Sequence, residues 1–289
     1  MIPDWALWRA RFEDYSARKT RAATTAALFP LVTRVERSEP RLQSIGNDWS
    51  RRLFDGPFYV AQPPHEPRPA CSLVFVQSAD GNTGADDPGA LGGGQTDKHL
   101  IYEGLSRVAA DGVMAGAGTV RGADVVFSVW HPEIIALRAS LGLPRHPTQI
   151  VVTNRGLDLD EGLMFNVAFV PVVLVTGPEI PSTIDDEIRK RPWIVRVPLN
   201  AGGWGDVFER LHAMGIRRVS CVGGRTLGRE LLAGGLVNDV YLTTTPAPGG
   251  EPDTAIAPWP WRGRVVARKE GTGPDAGVVF EQVVPEARE

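Results

Sequence analysis

The sequence predicts an α/β protein built on a mostly parallel sheet that ends in an antiparallel hairpin. Three observations carry this. Between residues 71 and 243, short apolar runs alternate with stretches of helical periodicity, the order expected of strands joined by crossover helices. Two of those runs, VMAGAGTV and VSCVGGRTLGRELL, break into glycines just before a helical stretch. The tail RVVARKEGTGPDAGVVFEQVV reads as two strands around a Gly/Pro/Asp turn.

The Pro-rich joint AQPPHEPRP divides the chain, because prolines cannot continue a helix. Residues 1–67 are an N-terminal extension expected to pack on the main body or on a partner, and 68–289 form the main domain. The extension is compatible with a helix around Trp5–Ala17 and carries no recognisable chemistry. Cys71–Gln77 is a buried strand. Thr96 is placed to N-cap a helix over Asp97–Ala109, with Leu100, Ile101, Leu105 and Val108 near one face. Val113–Ala115, Gln149–Thr153, Val170–Val175 and Trp193–Val197 are strands. Val207–Met214 is a helix that Gly215 terminates at C′. A strand at Arg218–Val222, a helix at Leu227–Ala233 and a strand at Val237–Thr243 lead to the tail.

Composition narrows the function. The 289 residues suffice for one or two domains with a sizeable core. Against 31 basic residues stand 34 acidic ones, so the excess expected of a wide nucleic-acid footprint is missing. Cys71 and Cys221, both in apolar runs, suit buried free thiols in a reducing compartment. The start MIPDWALWRARFEDY has no apolar signal core, and Phe165–Val175 is too short to span a bilayer. These features predict a cytoplasmic protein without membrane or nucleic-acid partners. No histidine pair has metal-ligand spacing, so no metal is expected, and no G-x-S-x-G elbow supports a serine hydrolase. Trp259 and Trp261 read as packing residues.

The candidate chemistry lies at the glycine junctions. Gly116, Gly118 and Thr119 follow one strand, and Gly223 and Gly224, with Thr226 beyond, follow another. Free N–H groups at a helix start favour an anion, and glycine lets it approach the backbone. A tight strand-to-helix turn explains either junction alone; two in one α/β domain point to a nucleotide with several phosphates. GAGTVRG is one residue too long for the Rossmann spacing, and GGRTLGRE lacks the Lys and Ser/Thr of a P-loop. In QSADGNTG, Ser78 and Asp80 stand where a strand ends, a place for ligands in open α/β sheets. Asp80 could orient a substrate or relay a proton, or form an ordinary Asp-Gly turn. Arg107 could meet a substrate phosphate, or be a solvated helix arginine.

Taken together, FVQSADG, LSRVAADGVMAGAGTV and VSCVGGRTLGRELLAGGLVNDVYL resemble the reductase domain of the bifunctional riboflavin-biosynthesis deaminase–reductases, from about Arg68 to the C-terminal hairpin. The resemblance implies a dihydrofolate-reductase-like fold and reduction of a ribosylamino-pyrimidine phosphate by NADPH. By resemblance the activity is that of 5-amino-6-(5-phosphoribosylamino)uracil reductase, with hydride passing to the ribose C1′. It implies that Gly116, Gly118, Thr119 and Val120, with Gly223, Gly224, Arg225, Thr226 and Leu227, cradle the NADP ribose and pyrophosphate. It places Asn154 and Arg155 at the 2′-phosphate and Val76 and Ser78 near the nicotinamide. Arg107 corresponds to the helix arginine used on substrate, and Asp80 is the candidate polar catalytic group. A homodimer is expected by analogy.

Departures from the family pattern fall on the substrate side. The Ser-x-Trp before the first helix is LGGGQT here, the glutamate before the double glycine is Val222, and only Asp124 remains of an acidic pair. A family arginine is replaced around Trp130, and the zinc-site pattern of the deaminase half does not occur in 1–67. Three readings stay open: this reductase, a reductase of another heterocycle such as a pterin, and a nucleotide-binding protein without turnover. A Rossmann dinucleotide enzyme fits less well, given the glycine spacing.

Overall fold

The computed structural model describes residues 4–84, 91–121, 124–256 and 262–286; Trp259 and Trp261 lie outside them. In chain order the first elements are α1 (Trp5–Thr25), β1 (Val32–Glu36), β2 (Leu42–Ile45), α2 (Asp48–Phe54), β3 (Phe58–Ala61) and β4 (Ala70–Gln77). A continuous helix follows, made of α3 (Gly94–Thr96), a π-helical stretch (Asp97–Leu105) and α4 (Ser106–Val108). Next come β5 (Gly112–Gly116), α5 (Ala117–Val120), α6 (Pro132–Ser140), β6 (Thr148–Thr153), β7 (Val172–Thr176), α7 (Thr183–Arg189) and β8 (Ile194–Pro198). The chain closes with α8 (Gly203–Ala213), β9 (Arg218–Gly223), α9 (Arg225–Ala233), β10 (Asp239–Thr244), β11 (Gly263–Glu270) and β12 (Val279–Pro285).

Ten strands form one sheet in the order β1-β11-β12-β10-β4-β9-β5-β6-β7-β8. From β10 to β8 every pairing is parallel, and β12, β11 and β1 add antiparallel strands at one edge. The mostly parallel sheet and the terminal hairpin are as the alternation predicts. Helices cover both faces because successive strand residues point to opposite sides. Val113 and Ala115 face a core shared with the 94–108 helix, α1 and α6, whereas Met114 faces one shared with α8 and α9. Cys71 and Cys221 are buried free thiols, and burial pushes the Cys221 thiol up to about 12. No helix of the described residues is long and apolar enough to cross a membrane.

Two expectations need correction. Thr96 is not an N-cap: the helix already begins at Gly94, Thr96 has helical backbone angles, and its hydroxyl accepts the Phe29 N–H at 3.1 Å. That partner comes from the N-terminal segment, beyond the reach of a local pattern. The first helix also runs past Ala17 to Thr25, where only Ala23 is buried, so no apolar stripe marks its second half. Asp4 caps its start by accepting the amides of Ala6 and Leu7.

Residues 4–61 are built into the same body. β1 extends the sheet beside β11, and Phe12 and Tyr15 of α1 enter the core. Tyr15 packs edge-on against Trp130 at 5.5 Å between ring centroids and accepts the Val126 N–H at 3.2 Å. Arg11 pairs with Asp124 at 2.6 Å. Thus α1 holds the 124–130 segment, where the sequence departs from the pattern it resembles.

Candidate active site

Parallel strands end together, so the C-terminal ends of β10, β4, β9, β5 and β6 form one row, the usual ligand edge of such sheets. In register, Thr243 of β10 stands beside Val76 of β4, Ala115 of β5 beside Gly223 of β9, and Gly116 beside Val152 of β6. With strands about 4.8 Å apart, the row spans roughly 19 Å, enough for an extended ligand.

At the middle of the row the two glycine corners meet. Gly116 precedes α5 and Gly224 precedes α9, and no side chain caps either helix. A Cβ on Gly223 would lie 2.9 Å from Thr119 Oγ1, and one on Gly116 would lie 3.9 Å from the Gly224 Cα. Gly224 has φ +90°, a conformation that L side chains rarely adopt, so glycine is required there. Gly118, Thr119 and Thr226 are exposed while Val120 and Leu227 anchor the corners in the core. Two adjacent helix starts thus present amides that no side chain caps, groups suited to accepting an anion. Arg225 turns away from it, donating to Glu251 at 3.2 Å.

Beyond β6, Thr153 Oγ1 accepts the Gly156 N–H at 3.1 Å and fixes the loop that carries Asn154 and Arg155. Arg155 lines a cavity of about 260 Å³ with Arg121, Asp158, Pro181 and Thr183. Arg121 donates to the Gly156 carbonyl at 3.4 Å, and neither arginine forms an ion pair among the described residues. Asn154 instead lies over Gly177, where a Cβ would fall 1.7 Å from its Oδ1.

At the other end of the row, Val76 is partly exposed beside Thr243. Ser78 and Asp80 clasp a neighbouring loop: Ser78 Oγ donates to the Gly249 carbonyl at 2.7 Å, and Asp80 Oδ2 accepts the Gly249 N–H at 2.8 Å. Thr83 and Gly84 bond to Thr254 in the same way, so the 78–84 and 245–254 loops form one wall. Asp80 thereby orients a loop.

Arg107 is neither solvated nor at the strand ends. It is 2% exposed, its Nη1 donates to the Ser128 carbonyl at 3.1 Å, and Tyr102 and Phe127 flank its guanidinium. Ten residues after Asp97, it lies toward the far end of a helix that runs away from the row. There it ties the helix end to the 126–130 segment.

Two residues at the row escaped the sequence reading, Arg121 and Asp97. The Thr243 hydroxyl donates to Asp97, at the start of the π-helical stretch. Burial raises the Asp97 carboxyl to about 7, with Asp275 nearby pushing the same way and the Thr243 bond opposing. The glycine run accommodates these acids: a Cβ on Gly93 would meet the Asp97 carboxylate at 2.2 Å, and one on Gly94 would meet Asp275 Oδ1 at 2.3 Å. The available signal for Asp97 was an acid opening a helix after three glycines.

Comparison with known proteins identifies the family and the fold. Residues 69–259 match the family model of the RibD C-terminal domain. A 2,5-diamino-6-ribosylamino-4(3H)-pyrimidinone 5′-phosphate reductase of Methanothermobacter thermautotrophicus is 27% identical over 179 residues, 62% of this chain and 78% of that protein. A pyrimidine reductase-like protein of Corynebacterium diphtheriae superposes with a TM-score of 0.61 at 20% identity, over 76% of this chain and 93% of its own. RibD of Acinetobacter baumannii gives 0.57 at 16% identity, over 77% of this chain and 59% of its own. The fold is that of these reductases.

Proposed function

The chain belongs to the RibD C-terminal domain family, and on that premise we propose that it reduces a ribosylamino-pyrimidine phosphate with NADPH. It is an oxidoreductase of the riboflavin-pathway pyrimidine-reductase type; the cofactor and the residue roles are our reading. The observation that carries the cofactor is the contact between the corners at Thr119 and Gly223, which sets two uncapped helix starts side by side.

A dinucleotide fits along the row. Its pyrophosphate would meet the amides of Gly118, Thr119 and Arg225 through Leu227, leaving the adenosine end toward β6. Arg121 and Arg155 would hold the 2′-phosphate, since guanidinium groups favour that dianion. The other end would bring the nicotinamide over Val76, with the substrate between it and the 94–108 helix. When bound, NADPH would supply the hydride; the protein supplies position. Ser78 and Asp80 contribute by holding the wall beside Val76. The substrate is the uracil phosphate named above or its 2,5-diamino-pyrimidinone counterpart.

Two measurements test this. Fluorescence titration should show saturable NADPH binding, and absorbance should show NADPH consumption with one of the two pyrimidine phosphates. No binding at about millimolar NADPH would refute the cofactor assignment. Replacing Arg121 or Arg155 with serine should each raise the KM for NADPH about tenfold and leave that for NADH unchanged, because each loses a charge-assisted bond of ~1.5–3 kcal/mol to a group NADH lacks. Equal effects on both cofactors would place the 2′-phosphate elsewhere.

A further inference from the structure

The mechanism above leaves one ionisable group at the row unused. Asp97 shares a face with Val76 and Thr243. Along β4, Cys71 and Leu73 face the α8–α9 side, so Val76 projects to the opposite side; along β10, Leu242 faces α9 and Thr243 projects opposite. Thr243 and Val76 are register partners, and the Thr243 hydroxyl donates to Asp97 Oδ1. Asp97 therefore stands next to the place read above as the nicotinamide seat. Two further buried polar atoms, Thr245 Oγ1 and Asp275 Oδ2, have no hydrogen-bond partner among the described residues. Thr245 lies just past the end of β10, and Asp275 packs against Gly94 at the helix start. Unpartnered buried polar atoms around a carboxyl in such a row are the mark of a site made for a polar ligand.

We propose that Asp97 is the proton donor of the reduction, giving its proton to the exocyclic nitrogen of the substrate as hydride enters the adjacent C1′. This rests on the reductase reading above. The substrate reacts as its open-chain imine, in which that nitrogen is double-bonded to C1′. A C–H bond of the dihydronicotinamide breaks and a C–H bond forms at C1′. The imine π bond is lost, an N–H bond forms, and the O–H bond of Asp97 breaks. The products are the ribitylamino compound, the oxidised cofactor and an Asp97 carboxylate that solvent reprotonates.

The local chemistry suits the role. A general acid works best with a pKa near the working pH, and the Asp97 carboxyl lies at about 7. From β10 it meets the Thr243 hydroxyl; the charged group facing it is Asp275, from the turn between β11 and β12. Asp275 opposes a second negative charge and so keeps the proton on Asp97.

The test is the pH profile of kcat/KM for wild type, Asp97→Asn and Thr243→Val, with NADPH binding measured in parallel. Wild type should lose activity about tenfold per pH unit above about 7. Asp97→Asn should lose about 100–1000-fold at neutral pH, show no break near 7, and bind NADPH within twofold of wild type. Thr243→Val removes the bond that favours the carboxylate, so its break should move up by about one pH unit; a merely structural role would not shift it. The proposal is overturned if Asp97→Asn keeps the wild-type profile, or if the Thr243→Val break stays in place. Failure of wild type to bind NADPH would instead remove the cofactor reading.

Discussion

Gly223→Val should weaken NADPH binding by about 100-fold while leaving the fold intact. A Cβ at this position lies 2.9 Å from Thr119 Oγ1 and 3.2 Å from its Cγ2, and the extra methyl groups of valine reach further. The 117–120 turn must move away from β9, and the two helix starts no longer address one diphosphate. Losing one or two charge-assisted hydrogen bonds, each ~1.5–3 kcal/mol, gives an effect of this size. Gly223 ends a strand at a partly exposed corner, so the sheet beneath should tolerate the change. Gly205→Ala, in α8 with open space around the new Cβ, is the comparison that should leave binding unchanged. Titration of both variants by NADPH fluorescence, with circular dichroism for the fold, checks this. Wild-type affinity in Gly223→Val would mean that the corners do not act together.

The second large effect is on stability. Arg138, 1% exposed, donates through Nη1 to the carbonyls of Arg107, Val108 and Ala110 and through Nε to that of Pro144. It thereby caps the end of the 94–108 helix, supplementing the Ala110 N–H bond that the Arg107 carbonyl accepts. Burial lowers its pKa to about 10, which still leaves it charged at neutral pH. Arg138→Ala strands several buried carbonyls and should cost about 3–5 kcal/mol, a fall in Tm of about 10 °C. Arg138→Met keeps most of the bulk without the donors and should be nearly as damaging. A Tm within 2 °C of wild type for Arg138→Met would show that packing, rather than these bonds, holds the helix end. Because this helix also carries Asp97, loss of its anchor should reduce activity as well.

The parts of the molecule that were legible in the sequence are those whose signal is local. β4, β5, β6 and β9 are buried on both faces and so read as continuous apolar runs. The corners at Gly116 and Gly224 announce themselves through glycine at a strand end. What stayed hidden depends on distant partners. Asp97 gains its place from Thr243, 146 residues away, and Arg121 and Arg155 belong to different loops that only the sheet brings together. β1 alternates weakly, and its strand character comes from β11 at the far end of the chain. The helix of Arg107 was read correctly as a helix, but its direction carries that residue away from the strand ends. The glycine run at 92–94, a departure from the resembling pattern, acquires a physical reason once Asp97 and Asp275 are seen packed against it.

The central claim is that adjoining helix starts grip one dinucleotide at the ends of β9 and β5. A crystal structure of the protein with bound NADPH tests it most directly. The account predicts the pyrophosphate within hydrogen-bonding distance of the Thr119 and Thr226 amides, with the 2′-phosphate between Arg121 and Arg155. A cofactor seated away from the β9–β5 strand ends would contradict it.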